Sequence, residues 1–226
     1  MTQMTRLPVA VLLHTIENLY TSKPTMTQED NIHPEFSRQL GKEDKESLLG
    51  QRGVVLWLCG LSGSGKSTLA NALERSLHAE GKYVVILDGD NLRSGLNADL
   101  GFSDEDRNEN IRRTAEVAKI LSSNGAIVIL SLITPQEEFR TQARTIIGER
   151  YQEIYIKADF ETCQKRDVKG LYAKQAKGEI KNFTGAGSNF VEPMNADLVI
   201  DTDALTEEIS LQKLIEFYKT TDHGKL

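Results

Sequence analysis

The feature that most constrains this chain is a glycine-rich stretch between an apolar run and a helix-like run. The stretch is Gly60-Leu61-Ser62-Gly63-Ser64-Gly65-Lys66-Ser67, preceded by Val54–Cys59 and followed by Thr68–Leu73. Glycine lets consecutive backbone N–H groups approach anionic oxygens closely, and the dipole of the following helix favours negative charge at its N-terminus. The pattern is that of a P-loop, and it predicts a strand, a phosphate-binding turn and a helix in that order.

A P-loop also predicts what is bound. Its lysine reaches the β- and γ-phosphates of a nucleoside triphosphate, and the next hydroxyl contributes to Mg²⁺ binding. The predicted triphosphate-binding residues are Gly60, Leu61, Ser62, Gly63, Ser64, Gly65, Lys66, Ser67 and Thr68. Lys66 is predicted to be catalytic and Ser67 to be a metal ligand. The alternative is a glycine-rich turn without a ligand, which explains neither side chain.

Composition bounds the remaining possibilities. The chain has 226 residues, of which 39% are hydrophobic, enough for one α/β domain with some extra length. Its net charge of −6 favours neither nucleic acid nor a membrane surface as a partner, so a positive field for an anionic ligand must be local. The cysteines, Cys59 and Cys163, form no metal-ligand pattern and suggest a reducing, cytoplasmic compartment. The plainer interpretation is two buried thiols.

The first fifty residues differ in character from the rest. Leu7–Leu13 is apolar and follows Arg6, but Pro8 interrupts it and it is too short to span a bilayer. Glu29–Gln51 is polar and mixed in charge. We predict a leader and a polar arm over residues 1–52, with Met26 as an alternative start, and a separate domain over residues 53–226.

Beyond residue 53, short apolar runs alternate with helical stretches. The predicted strands are Val54–Cys59, Tyr83–Leu87, Ala126–Leu132, Glu153–Ile156 and Leu198–Ile200, and the predicted helices are Ser67–Glu80, Glu105–Ser123, Pro135–Glu149 and Thr206–Lys219. Gly81 and Gly125 are placed as C-terminal helix caps. The pattern predicts an α/β fold with a mainly parallel, five-stranded, doubly wound sheet, whose ligand sites lie beyond the carboxyl ends of the strands.

Two carboxylates follow the second predicted strand, in Leu87-Asp88-Gly89-Asp90. Phosphoryl transfer needs a carboxylate to hold the metal's water shell or to accept the acceptor hydroxyl's proton. We therefore predict that Asp88 and Asp90 are catalytic, with Asp88 as a metal ligand. The alternative is that Asp90 only caps a helix that starts near Asn91.

A cationic cluster follows at the start of a predicted helix. Ser103 and Asp106 form a Ser-x-x-acid capping box, and the side chains of Arg107, Asn110 and Arg113 recur at helical spacing. On a surface helix such charges are commonly just solvated. With an exposed aromatic beside them, they could instead clamp a nucleotide-like acceptor.

Together these motifs resemble the adenylylsulfate kinases, also called APS kinases. The matching segments are Gly60–Ala70, Leu87–Arg93, Leu100–Ser103, Asp106–Arg113, Arg166–Tyr172 and Gly178–Gly185. The resemblance implies a P-loop NTPase fold with a mobile lid at about residues 168–190. It also implies transfer of the γ-phosphate of ATP, with Mg²⁺, to the 3′-hydroxyl of adenylylsulfate, which gives 3′-phosphoadenylylsulfate.

The resemblance also assigns a substrate site. Arg93, Arg107 and Asn110 would hold the phosphosulfate and ribose, while Phe102 and Phe183 would sandwich the adenine; either phenylalanine could instead be ordinary core. The full predicted substrate-binding set is Asp90, Arg93, Phe102, Arg107, Asn110, Arg113, Ile133, Lys169 and Phe183. Lys169 would belong to the lid.

The chain departs from the family pattern in three places. Where the family has Ile-Ser-Pro, with a serine often given as a phosphorylated active-site residue, this chain has Ile133-Thr134-Pro135, which makes Thr134 a catalytic candidate. The lid reads Ala173-Lys174-Gln175-Ala176, and Ala186 stands where isoleucine is usual. A kinase for another small hydroxyl acceptor and a weakly catalytic nucleotide-binding paralogue therefore stay open, as does a homodimer.

Overall fold

The chain divides into two compact units, Met1–Gln39 and Leu40–Leu226. The computed structural model describes residues 35, 38–167, 170–176 and 190–221. Nearly all of the predicted leader lies outside these residues. Residues 40–52, which we assigned to the polar arm, belong to the second unit, whose fold is described below.

The described helices and strands alternate along the chain. In order they are α1 (Lys42–Leu49), β1 (Val54–Cys59), α2 (Lys66–Ala79), β2 (Val84–Asp88), α3 (Gly89–Arg93), α4 (Asp104–Ser123), β3 (Ile127–Ser131), α5 (Glu137–Ile147), a 3₁₀ turn (Gly148–Arg150), β4 (Tyr151–Lys157), α6 (Phe160–Arg166), α7 (Leu171–Ala176), β5 (Leu198–Asp201) and α8 (Glu207–Thr220).

The strands form one sheet in the order β2-β3-β1-β4-β5, with every neighbouring pair parallel. Strand β1 lies at the centre, where Val54 pairs with Ile127 of β3 and Val55 with Tyr151 of β4. All of its residues are buried. A strand covered on both faces reads as a continuous apolar run, which is why periodicity identified it so clearly.

Helices cover both faces of the sheet. On one face Leu56 of β1 belongs to the same buried cluster as Leu214 of α8, and α2 contributes to that cluster as well. On the other face Trp57 belongs to a cluster with Ala115 of α4 and Ala143 of α5. The predicted doubly wound α/β architecture is confirmed, and so is the burial of both cysteines. No helix among the described residues is long and apolar enough to cross a membrane.

Sequence reasoning missed helix α1, whose composition is almost entirely polar. Tertiary hydrogen bonds hold it: the Glu46 carboxylate accepts from the backbone N–H of Gly53 and from the Arg150 guanidinium, each at 3.0 Å. Just beyond the helix, the Gln51 amide donates to the Gly125 carbonyl at 2.7 Å. The short helices α3, α6 and α7 are likewise too brief to show a periodic pattern.

The predicted punctuation of the longer helices is confirmed. Gly81 and Gly125 follow the C-terminal ends of α2 and α4 with φ of 78° and 89°. At the other end of α4, the Ser103 hydroxyl accepts from the backbone N–H of Asp106 at 3.1 Å, as the capping box requires. The predicted helix Pro135–Glu149 is shorter in the structure, because α5 covers only Glu137–Ile147 before the 3₁₀ turn.

Candidate active site

A cavity of about 830 Å³ opens at the carboxyl edge of the sheet. Fourteen of the predicted site residues line it: Ser62, Gly63, Gly65, Lys66, Ser67, Thr68, Asp88, Asp90, Arg93, Phe102, Arg107, Asn110, Ile133 and Thr134. Segments far apart in sequence therefore meet at one opening, as expected for a parallel sheet with its ligand site beyond the strand ends.

The P-loop backbone leaves no room for side chains at two glycines. Gly60 has φ of 146°, and a Cβ there would lie 2.4 Å from the carbonyl oxygen of Ile156. Gly63 has φ of 83°, and a Cβ there would lie 2.9 Å from the carbonyl oxygen of Cys163. Because both obstacles are backbone atoms, any side chain would force the loop out of shape.

Lys66 and Ser67 open helix α2 directly below the loop. The Lys66 ammonium folds back over the loop and donates to the carbonyl of Leu61 at 2.6 Å. The Ser67 hydroxyl donates to Asp88 Oδ2 at 2.9 Å and lies 2.9 Å from the Ser131 hydroxyl. A carboxylate beside two hydroxyls fits Mg²⁺, which usually keeps several waters and takes its other ligands from carboxylates and phosphates.

The two oxygens of the Asp88 carboxylate have different partners, because Oδ2 accepts from the Ser67 hydroxyl and Oδ1 from a backbone N–H. Its Oδ1 accepts from the backbone N–H of Asp90 at 3.0 Å and caps helix α3, which begins at Gly89. The alternative in which Asp90 caps a helix from Asn91 is therefore wrong. The cap lies at the last residue of β2, one residue beyond our predicted strand end, so the side chain that we predict as a catalytic group and metal ligand also caps the helix.

A second part of the cavity lining consists of an exposed aromatic ring, Phe102, and two partly buried arginines, Arg93 and Arg107. Phe102 is 60% exposed, so the alternative that it is ordinary core is wrong. The guanidinium carbon of Arg93 lies 4.4 Å from the centre of the Phe102 ring, and that of Arg107 lies 6.0 Å away. Both arginines are placed by backbone carbonyls: Arg93 donates to Gly101 at 2.8 Å and Arg107 to Phe102 at 3.1 Å. Such an arrangement suits a planar, anionic ligand.

Partial burial acts on both arginines of this wall. Desolvation lowers the pKa of Arg107 and, together with the nearby Arg107 charge, the pKa of Arg93. An arginine stays charged even after such a shift, because its ordinary pKa lies far above neutrality. Two positive charges held close together therefore favour a ligand with more than one negative charge.

Asn110 and Arg113 lie on helix α4 but play different parts. The buried Asn110 side chain accepts from the Asn97 amide at 2.9 Å, which orients the group that lines the cavity. Arg113 instead bonds Glu109 at 2.8 Å and Asp99 at 2.7 Å and 2.9 Å, and it is not among the residues that line the cavity. Its observed contacts fasten a loop to α4, so a substrate contact for Arg113 stays a prediction without geometric support.

Thr134 lies in an unusual backbone conformation. Its φ is 43°, in the left-handed region, where a β-branched residue is strained by about 1–2 kcal/mol. Its hydroxyl accepts from the Trp57 indole at 2.9 Å, and its carbonyl accepts from the Arg140 guanidinium at 3.0 Å. The hydroxyl and the carbonyl of Thr134 are therefore both hydrogen-bonded within the protein, and the residue lines the cavity as part of a turn.

Sequence reasoning missed several donor-side residues that line the cavity. The Arg166 guanidinium bonds the Thr202 hydroxyl at 3.0 Å, and that hydroxyl donates to the Ser64 carbonyl at 3.0 Å. The Tyr172 hydroxyl donates to the Ser62 carbonyl at 2.8 Å. Arg166 and Tyr172 stood within a motif that we had noted, whereas Thr202 is recognisable only as a polar residue just after the last strand.

Two predicted substrate residues, Lys169 and Phe183, lie outside the described residues. So does most of the predicted lid, of which the structure describes residue 170, helix α7 and Phe190.

The comparisons with known proteins bear on this arrangement. A family model described as adenylylsulphate kinase matches residues 52–201. The chain belongs to the adenylylsulfate kinase family. It is 56% identical over 190 residues to the adenylyl-sulfate kinase of Phocaeicola vulgatus, covering 84% of this chain and 93% of that one. It is 51% identical over 192 residues to that of Bacteroides thetaiotaomicron, covering 84% and 96%.

A solved structure from the same family has a similar fold. The Mycobacterium tuberculosis APS kinase in complex with AMPPNP and APS is 43% identical, with a TM-score of 0.71, and the match covers 75% of this chain and 99% of that chain. A more distant protein, a sugar kinase from Janibacter sp., shares the fold at 18% identity and a TM-score of 0.54. The predicted family and the P-loop kinase fold are confirmed.

Proposed function

We propose that this member of the adenylylsulfate kinase family transfers the γ-phosphoryl group of ATP to the 3′-hydroxyl of adenylylsulfate, giving 3′-phosphoadenylylsulfate and ADP. The observation that carries the proposal is that one cavity joins the P-loop to an aromatic ring flanked by Arg93 and Arg107. A related enzyme bound to AMPPNP and APS supports the same pair of ligands.

On the donor side, the P-loop amides and the Lys66 ammonium bind the phosphates of ATP. Ser67 and Asp88 would hold Mg²⁺, which would neutralise part of the phosphate charge when bound. Because Ser67 and Asp88 are already bonded to each other, the metal ligands are in place before the nucleotide arrives. Arg166 and Thr202 brace the Ser64 carbonyl and so keep the loop in its binding shape.

On the acceptor side, Phe102 stacks on the adenine, while Arg93 and Arg107 hold the phosphosulfate. Asn110 offers its oriented amide to the ribose. Asp90 lies in the first turn of α3 and lines the same cavity, so it orients the 3′-hydroxyl and accepts its proton. The hydroxyl oxygen forms a bond to the γ-phosphorus while the bond to the β-phosphate oxygen breaks and ADP leaves. Positioning and charge supply most of the rate.

A direct assay tests this function. The purified protein is incubated with MgATP and adenylylsulfate, and ADP and the 3′-phosphorylated product are separated by chromatography. We expect equal amounts of both products, and little turnover with AMP, which has the ribose hydroxyl but no sulfate for Arg93 and Arg107. Absence of the phosphorylated product at saturating adenylylsulfate would overturn the proposal. The cytoplasmic location and the homodimer stay predictions from the sequence.

A further inference from the structure

The turn Ile133-Thr134-Pro135 is braced at every carbonyl. The Ile133 carbonyl accepts from the backbone N–H of Gly60 at 3.2 Å, which ties the turn to the first residue of the P-loop. The Pro135 carbonyl accepts from the backbone N–H of Val191 at 2.8 Å. With Arg140 on the Thr134 carbonyl, the turn connects the P-loop, helix α5 and the chain that returns after the lid region.

The Thr134 hydroxyl is directed into the protein and away from bulk solvent. Thr134 is 2% exposed, and its hydroxyl accepts from the indole of Trp57, which is fully buried. Without that hydroxyl the indole N–H would be buried without an acceptor, which is costly. The bond therefore gives the hydroxyl a structural task that does not involve a reactant.

The backbone of Thr134 needs this support. A β-branched residue in the left-handed region persists only where its surroundings hold it there. The second support is Arg140, which is fully buried and lies 2.5 Å from Glu137 Oε2 and 3.4 Å from Glu153 Oε1. Its charge is thus balanced on both sides, and it can donate to the Thr134 carbonyl without losing its other partners.

We infer that Thr134 is a positioning residue: its hydroxyl, held by the Trp57 indole, keeps the 133–135 turn in the shape in which it forms part of the cavity wall. It does not receive phosphate. This inference rests on the proposed function for what the wall binds. The hydrogen bond itself can be tested without any activity.

Trp57 is the chain's single tryptophan, so its fluorescence reports this bond directly. Thr134→Val removes the hydroxyl at nearly constant volume, and Thr134→Ser keeps it. We expect the emission of Thr134→Val to shift to shorter wavelengths, because the indole loses its partner, while Thr134→Ser matches the natural protein. Equal emission from all three proteins would overturn the inference, and the melting temperature of each variant checks that it is folded.

Kinetics distinguish positioning from phosphate relay. We expect Thr134→Val and Trp57→Phe each to raise the KM for adenylylsulfate about tenfold, with kcat and the KM for ATP changed about twofold or less. The double variant should be no worse than either single one, since both remove the same bond. Effects that multiply, or a loss of kcat in Thr134→Val alone, would contradict the inference.

Mass spectrometry gives an independent reading of the same question. After incubation with MgATP, with and without adenylylsulfate, the peptide that contains Thr134 should carry no phosphate. Phosphothreonine at that position would overturn the inference. If the natural protein fails to phosphorylate adenylylsulfate, the proposed function fails, whereas the fluorescence of Thr134→Val still decides whether the Trp57 bond exists.

Discussion

The two halves of the cavity are built from different material. The donor half is mainly backbone, at Gly60, Gly63 and the first turn of α2, anchored beside the fully buried strand β1. The acceptor half is mainly side chains at the start of helix α4 and in the loop before it, with the Phe102 ring 60% exposed. The fold fixes the geometry of the donor half, whereas the geometry of the acceptor half depends on the rotamers of its side chains.

This difference predicts where each half acts on the reaction. A backbone loop held by the core has no ordering left to do when a ligand arrives, so its interactions can act in the transition state. Exposed side chains lose rotamer freedom on binding, at about 0.5–1.5 kcal/mol for each one that is immobilised. Substitutions in the donor half should therefore lower kcat, and those of the acceptor side chains Arg93, Phe102 and Arg107 should raise the KM for adenylylsulfate.

Lys66→Ala gives the largest expected effect. It removes the ammonium that meets the charge developing on the transferring phosphoryl group, and we expect kcat to fall about 10³-fold. Steady-state kinetics at saturating adenylylsulfate measure this. Lys219→Ala is the matched control, because Lys219 is a half-exposed lysine paired with Glu80 at 2.8 Å and is not among the residues that line the cavity. A fall in kcat below tenfold would break the assignment of the donor half.

Arg107→Ala should have a smaller effect of a different kind. Loss of one charge-assisted contact costs about 1.5–3 kcal/mol, so we expect the KM for adenylylsulfate to rise roughly 10- to 100-fold while kcat changes little. Arg112→Ala on the same helix is the control, since Arg112 bonds only Glu109 among the described residues and is not among those that line the cavity. An unchanged KM in Arg107→Ala would refute the role of Arg107 in binding adenylylsulfate. A fall in kcat as large as the rise in KM would contradict the proposed difference between the two halves.

The same contrast explains how much of the site could be predicted from the sequence. The P-loop of the donor half could be predicted, because it is one contiguous stretch whose spacing follows from the geometry of phosphate binding. The donor-side residues that the sequence did not reveal are Arg166, Tyr172, Thr202 and Ser131, of which Ser131 lies 2.9 Å from the Ser67 hydroxyl. Only the pairing of β1 with β3 brings the two residues together, and no local pattern contains that pairing.

The acceptor half was predicted only in part. Helical spacing predicts the face of the helix on which a residue lies, but it does not predict the hydrogen-bond partner of the side chain. Arg107 and Arg113 each lie three residues from Asn110 on α4, yet Arg107 reaches a loop carbonyl and Arg113 reaches Asp99. The partners come from the loop before α4, whose path depends on tertiary contacts. The inward direction of the Thr134 hydroxyl has the same origin, since it depends on Trp57 on a neighbouring strand.

Helix α1 offers a test remote from both halves. Glu46 is not among the residues that line the cavity, and burial alone would raise its pKa. The hydrogen bonds from Arg150 and from the Gly53 backbone outweigh burial and hold the pKa below its usual value of 4.5. A lowered pKa in the folded state means that the unfolded chain binds the proton more readily, so this stability is present at neutral pH and is lost as the pH falls through the folded-state pKa.

Glu46→Gln should therefore lower the melting temperature at pH 7 by about 2–8 °C, on the order of 1–2 kcal/mol for a domain of this size. The gap to the natural protein should narrow as the pH falls below 4.5 and should close once the pH is below the lowered folded-state pKa of Glu46. Calorimetry across this pH range measures it, and the exposed Glu43→Gln on the same helix is the control. Because Glu46 is not among the residues that line the cavity, the KM values for ATP and for adenylylsulfate should stay unchanged in Glu46→Gln. A gap that persists at low pH would show that the carboxylate's charge is not what holds α1 to Arg150.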